Sequence, residues 1–192
     1  MQIVGIHGKA RAGKTSVARW LGDKRNAFQA SFADPIKETL IGMFCLSYGL
    51  SWEHFENPTL KEQALPGLGR SPRFLAQTLG TEWGRALVND DLWVMLLEQR
   101  LRGQLVWGKY GQMIVIADVR FENEARWVRE HGTLLHLTRI GADGNVGVAG
   151  HQSESGIAPA DGDIRLANDG TLEDLYTALA ALFPGPVDGG DE

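Results

Sequence analysis

The sequence contains a single cysteine, Cys45, among 192 residues. An internal disulfide and a cysteine-based zinc site are therefore excluded, and the composition suits a reducing compartment. The five histidines, His7, His54, His131, His136 and His151, fall at no metal-ligand spacing such as His-Glu-x-x-His. Apolar runs are short, the longest lying around Met113 to Val119, so no membrane span is expected. Met1 to Gly8 enters a strand-like stretch without a basic region or a small-residue cleavage site. The expectation is a cytoplasmic protein without a secretory leader or membrane partner. There is no internal repeat. Hydrophobic residues make up 43% and charged residues 22%, which excludes global disorder and is enough to fill one sizeable core.

The net charge of −5 is unevenly placed. Residues 1–139 hold 18 Lys/Arg against 14 Asp/Glu, whereas residues 140–192 hold one Arg against 10 acids. The front of the chain can meet an anionic ligand while the acidic end keeps the protein soluble.

Short β-like runs alternate with helical patterns, the signature of a parallel sheet covered by helices. Strands are expected at Gln2–Ile6, Ala27–Phe32, Met113–Ala117, Thr133–Thr138 and Ile164–Ala167. Met113–Ala117 is apolar throughout, as a central strand covered on both faces should be. Helices are expected at Lys14–Asp23, from Asp34, at Ser71–Leu87, Asp90–Leu101, Glu122–Glu130 and Thr171–Leu182. By residue type Asp34 caps its helix, Pro35 suits the first turn, and Ile36, Leu40, Met43 and Phe44 recur at helical spacing. Gly80 marks a break in the Ser71–Leu87 helix. Leu92, Trp93, Leu96, Leu97 and Leu101 form the apolar face of the next one. Residues 50–70 read as an irregular connection with a short helix at Ser51–Glu56. One domain is expected over residues 1–183, with a helical insertion at about 35–105, a long lid-like loop at about 140–163 and a flexible acidic tail at 184–192.

Residues Gly8-Lys9-Ala10-Arg11-Ala12-Gly13-Lys14-Thr15 match the phosphate loop (P-loop, Walker A) pattern Gly-x-x-x-x-Gly-Lys-Ser/Thr without a mismatch. In a chain of this composition a chance match has a probability of about 2%. The match also follows an expected strand and opens an expected helix, where backbone N–H groups and the helix N-terminus favour phosphate oxygens. Gly8, Arg11, Ala12, Gly13, Lys14, Thr15 and Ser16 form the expected ATP-binding set. Lys14 would reach the β- and γ-phosphates, and the Thr15 hydroxyl would ligate Mg²⁺. Asp118, directly after the apolar strand, is placed to be the second metal carboxylate; the plainer reading is a surface Asp capping a turn. No Asn-Lys-x-Asp stretch for reading guanine is present, which argues against a GTPase. The short chain and its helical insertion point to a kinase for a small acceptor.

Four further segments carry a resemblance: Ser31-Phe32-Ala33-Asp34-Pro35-Ile36-Lys37, Leu79-Gly80-Thr81-Glu82-Trp83-Gly84-Arg85, Asp118-Val119-Arg120-Phe121-Glu122-Asn123-Glu124 and His151-Gln152-Ser153-Glu154. Together with the phosphate loop, and in this order, the sequence resembles the bacteriophage deoxynucleoside monophosphate kinase family from Ile3 to about Leu182. The resemblance implies a three-layer α/β P-loop kinase fold with a five-stranded parallel sheet, a helical substrate-binding part and a short lid. It implies ATP and Mg²⁺ as cofactors and a small nucleotide as substrate.

A phosphate acceptor is already anionic, so transfer needs cations rather than a strong base. Arg70, Arg73, Arg85, Arg120 and Arg139 are candidates, since Arg grips phosphate in a bidentate way. Arg120, two residues beyond Asp118, is the first choice for the acceptor phosphate, and Arg139 for the transferring phosphoryl group. Lys14, Asp34, Asp118, Arg120 and Arg139 form the expected catalytic set. Asp34 and Lys37 lie where the acceptor should enter, and Gln77, Thr81, Glu82 and Trp83 are offered to the base. At its helical spacing Trp83 is expected in the core rather than as a stacking platform. His151 and Glu154 join the substrate set through the resemblance. Asn168-Asp169-Gly170-Thr171 reads as a strand-to-helix turn with Thr171 as its cap by type, and the resemblance implies that such a turn lies near the adenine. Two other readings stand beside this one: a related kinase acting on a hydroxymethylated base in DNA, with Asp34 as general base, and an ATP-binding module without transferase activity. The sequence leaves a homodimer open.

Overall fold

The computed structural model describes residues 2–106, 113–142 and 156–185. The chain divides into two compact units, one of Met1–Ala30 with Trp107–Glu192 and the other of Ser31–Val106.

In the first unit β1 (Gln2–His7), β2 (Phe28–Ala30), β3 (Met113–Ile116), β4 (Gly132–Thr138) and β5 (Ile164–Ala167) form one sheet in the order β2-β3-β1-β4-β5. Every pair is parallel, so the expected five-stranded parallel sheet is present. Successive side chains of a strand point to opposite faces, and here both faces are apolar. Val4, Ile6, Val115, Leu135 and Leu137 pack with Val17, Trp20 and Leu21 of α1 (Lys14–Arg25) and with Leu175 and Leu179 of α7 (Leu172–Leu182). On the opposite face Ile3, Ile114, Ile116 and Leu134 are equally buried, and α6 (Glu122–His131) packs against β1 and β4. The result is three layers, helix on sheet on helix.

The second strand is shorter than expected. Asn26 takes a left-handed conformation after α1, and the amide of Ala27 donates to the carbonyl of Leu21, so Ala27 closes the helix rather than opening the strand. In the sheet β1 has β3 on one side and β4 on the other. Ligands of parallel α/β sheets bind beyond the C-terminal strand ends at such a reversal of order, and that is where residues 8–13 leave β1.

The second unit is helical: α2 (Asp34–Tyr48), α3 (Glu53–Glu56), α4 (Pro72–Gln77), a π-helical segment Thr78–Val88 and α5 (Leu92–Val106). Ile36, Leu40, Leu50, Leu65 and Trp93 form its core. Gly80 does not break the helix as expected; the winding widens from Thr78 onward, and the amide of Asn89 reaches back to the carbonyl of Gly84. Ile36 leaves no comfortable room for a Cβ at Gly80, and Trp93 leaves none at Gly84. Trp93 Nε1 donates to the Gly80 carbonyl at 2.7 Å, and its indole lies so close to Gly84 that a Cβ there would overlap the ring. Met43 and Leu96, expected to point inward, are exposed. The buried lines run at i, i+4 through Ile36, Leu40 and Phe44, and through Trp93, Leu97 and Leu101, and both residues lie off them.

Among the described residues no helix is long and apolar enough to cross a membrane. Most of the expected lid-like loop (143–155) and most of the tail (186–192) lie outside the described residues.

Candidate active site

The phosphate loop begins where β1 ends. Gly13, immediately before α1, has φ 106°, a conformation that favours glycine, and a Cβ there would also lie 2.5 Å from Asn168 Nδ2. Asn168 itself is buried at the end of β5. Its Nδ2 donates to the carbonyl of Ala12 at 2.8 Å, while its backbone amide donates to Thr138. The loop is thus clamped from the far end of the chain. Sequence reading places Asn168 in a strand-to-helix turn, near the adenine by resemblance, but misses its hold on the phosphate loop, because its partner is 156 residues away. The one local signal is a polar residue directly after a strand that points at the loop.

Lys14 Nζ donates to the carbonyls of Gly8 and Lys9 at 2.6 and 2.8 Å. Burial first, and then the positive charge of Arg120, pull its ammonium down to about 8, with Asp118 acting in the opposite direction. Lys14 follows β1, and Asp118 and Arg120 follow its neighbour β3. Asp118 is half-buried just past β3. Arg120 is exposed, and its backbone amide donates to Glu124 Oε2 at 2.7 Å; the amide of Phe121 donates to the same oxygen at 3.1 Å. Glu124 is buried on α6 and fixes the Asp118–Phe121 turn to that helix. Arg11 and Thr15 are exposed and Ser16 is half-buried. Arg139 directly follows β4 and is exposed, and its carbonyl accepts the amide of Ala142 at 3.2 Å.

These groups suit a nucleotide triphosphate and its metal. The loop presents a left-handed glycine, a helix N-terminus and an amine to phosphate oxygens. Among the described residues no cluster of three or more His, Cys, Asp or Glu could hold a metal ion. One hydroxyl and one carboxylate, Thr15 and Asp118, are the sparse donor set typical of Mg²⁺ carried on phosphates.

The other candidates belong to the second unit. Asp34 is not the helix cap expected from its type: Ala33 takes that place, because the helix starts at Asp34 itself. The carboxylate of Asp34 instead accepts the amide of Ser31 at 3.0 Å. Lys37 lies 2.8 Å from Glu56, 3.8 Å from Asp34 and 5.4 Å from the centre of the Trp52 ring. Arg70 stacks on Phe74 at 4.5 Å, and Arg73 pairs with Glu62 at 2.6 Å. The Arg85 side chain is buried and donates to the carbonyl of Asp90 at 2.9 Å. The three arginines thus have different partners. Gln77 and Thr81 are half-buried and Glu82 is exposed. Trp83 is 48% exposed rather than in the core, whereas Trp93 is buried against Gly84. His151 and Glu154 lie outside the described residues.

The family model for deoxynucleotide monophosphate kinase matches residues 68–179, more than half of the chain. The chain belongs to the deoxynucleotide monophosphate kinase family. The kinase is 30% identical to a relative from Acanthamoeba polyphaga mimivirus over 190 residues, covering 93% of this chain and 94% of the relative. The deoxynucleoside-5'-monophosphate kinase of Escherichia phage T5 is 28% identical, with 81% of this chain and 84% of the relative covered. The deoxynucleotide monophosphate kinase of Enterobacteria phage T4 is 25% identical, with 93% and 97% covered. The family match includes Asp118, Arg120, Arg139 and Asn168 but begins after the phosphate loop. The loop therefore stands on its own pattern and geometry. This kinase is a transferase, as its family is.

Proposed function

We propose that this kinase transfers the terminal phosphoryl group of ATP, with Mg²⁺, to a deoxynucleoside 5'-monophosphate, giving ADP and the diphosphate. The observation that carries this reading is the phosphate loop, with left-handed Gly13 at the N-terminus of α1 and Lys14 bonded to the loop carbonyls, beside Asp118 and Arg120 just past the neighbouring strand β3. Bound Mg²⁺ would neutralise charge between the two phosphate groups, with Thr15 and Asp118 holding it. Lys14 and the loop amides hold the donor phosphates. Arg120 grips the acceptor phosphate and Arg139 the phosphoryl group in transit. The acceptor oxygen is anionic, so no proton has to be removed from it. Asp34, Lys37 and the residues from Arg70 to Arg85 serve the nucleoside.

Steady-state kinetics test these roles. Arg120→Ala should raise KM for the monophosphate at least about tenfold and leave KM for ATP within about threefold. An unchanged monophosphate KM removes Arg120 from the acceptor site. Asp34→Asn should keep turnover within about tenfold; near-complete loss would instead favour a hydroxyl acceptor, as on a modified base in DNA, with Asp34 as its base.

A further inference from the structure

The side chain of His7 has no part in the roles assigned above, yet it sits at their junction. His7 is the last residue of β1 and directly precedes Gly8. Its Nδ1 lies 3.0 Å from the carbonyl oxygen of Val119, the residue between Asp118 and Arg120. On the other side of the ring, the amide of Ile157 donates to Nε2 at 3.2 Å. An amide can only donate, so Nε2 must be the bare nitrogen and Nδ1 must carry the hydrogen given to the carbonyl. The two contacts together select one neutral tautomer.

The ring is supported from behind. His136, level with His7 in the β1–β4 register, meets it edge to face with centroids 5.4 Å apart. His136 Nε2 is itself 2.9 Å from Asp163 Oδ2, and Asp163 is paired with Arg129 of α6 at 2.9 Å. Burial lowers the pKa of His7, which favours the neutral ring that this geometry requires.

Glu124 and His7 both anchor the Asp118–Phe121 turn. Glu124 holds the amides of Arg120 and Phe121 to α6, and His7 holds the carbonyl of Val119 to the strand that becomes the phosphate loop. The bond from His7 ties the turn carrying Asp118 and Arg120 directly to the strand that leads to Lys14. We infer that His7 is a positioning residue: its Nδ1–H bond to Val119 sets Asp118 and Arg120 against the phosphate loop for transfer. The inference rests on the proposed roles of those two residues. A displacement of about 1 Å at a reacting centre can cost about a hundredfold in rate, so loss of this single bond should be visible in kcat.

Two replacements separate the two ring nitrogens. His7→Asn places an amide N–H where Nδ1 was and keeps the bond to Val119. His7→Gln places an oxygen where Nε2 was and keeps the bond from Ile157. His7→Leu keeps neither. In the full-length enzyme, kcat should fall about tenfold or more in His7→Gln and His7→Leu, and stay within about threefold of wild type in His7→Asn, with KM for ATP changing little in all three. A ring that only stabilises the fold predicts equal kcat per folded molecule in all three, and that result overturns the inference. Asp118→Asn is measured in parallel. If it is nearly inactive while His7→Gln is unimpaired, the positioning role fails and the reading of the site stands; if Asp118→Asn turns over like wild type, both fail. Should the variants not fold, nitrogen NMR of the wild-type imidazole decides. A protonated Nδ1 and bare Nε2 at neutral pH support the inference, and the opposite tautomer overturns it.

Discussion

Asn168 Nδ2 donates to the carbonyl oxygen of Ala12 at 2.8 Å, so the end of the last strand holds the middle of the phosphate loop. Both residues are buried, which makes an unmet carbonyl there costly, on the order of 1–3 kcal/mol. Asn168→Ala should therefore weaken ATP binding by about tenfold, read by calorimetric titration, with the fold retained in circular dichroism. Unchanged affinity would mean that the loop holds its shape without the clamp.

Gly13 meets the same asparagine from the loop side. Gly13→Ala combines a disfavoured φ with a collision at Asn168 Nδ2. It should lower ATP affinity by about a hundredfold, and adding Asn168→Ala should relieve the collision but not the backbone strain. Partial recovery in the double variant, measured in the same titration, checks the geometry.

Acid should destabilise the kinase through Asp163. Burial works to raise the pKa of this carboxylate, but bonds from Arg129, the Ala160 amide and His136 outweigh it and hold it at about 2. A carboxylate depressed in the folded state contributes its stability above its unfolded value near 4, and loses it as pH falls from there through about 2. Asp163→Asn should cost on the order of 2 kcal/mol at neutral pH and flatten the stability profile between those limits, as measured by urea unfolding at several pH values. An equally steep acid limb in the variant would place the titrating group elsewhere.

In the helical unit, Gly84→Ala pushes a methyl group into the Trp93 indole. The expected cost is about 1–3 kcal/mol, seen as a lower unfolding midpoint and altered Trp fluorescence. A silent substitution would show that the π-helical turn can move away from Trp93.

Much of this was readable in the sequence where the causes are local. The phosphate loop is a contiguous pattern, and β3 declares itself because a strand covered on both faces must be apolar at every position. Asp118 follows from β3 by adjacency alone. Long-range contacts were not readable: Asn168 with Ala12, and His7 with Val119 and Ile157, join residues more than a hundred positions apart. The unusual winding at Thr78–Val88 is hidden for a related reason: apolar spacing alone does not separate an α-helical from a π-helical turn, and the indole bonded to the Gly80 carbonyl comes from the next helix. Trp83 at 48% exposure is likewise not readable from helical spacing, and residue type suggests Asp34 as a cap without saying where the first turn begins.

The most direct test of the central claim is product analysis with terminally labelled ATP and Mg²⁺ against a panel of deoxynucleoside monophosphates, ribonucleoside monophosphates and modified-base DNA. The account predicts label in at least one deoxynucleoside diphosphate, formed in step with ADP, and its loss in Lys14→Ala by about a thousandfold or more. Folded, ATP-binding protein that labels no deoxynucleoside diphosphate, and releases only inorganic phosphate or labels only DNA, would contradict it.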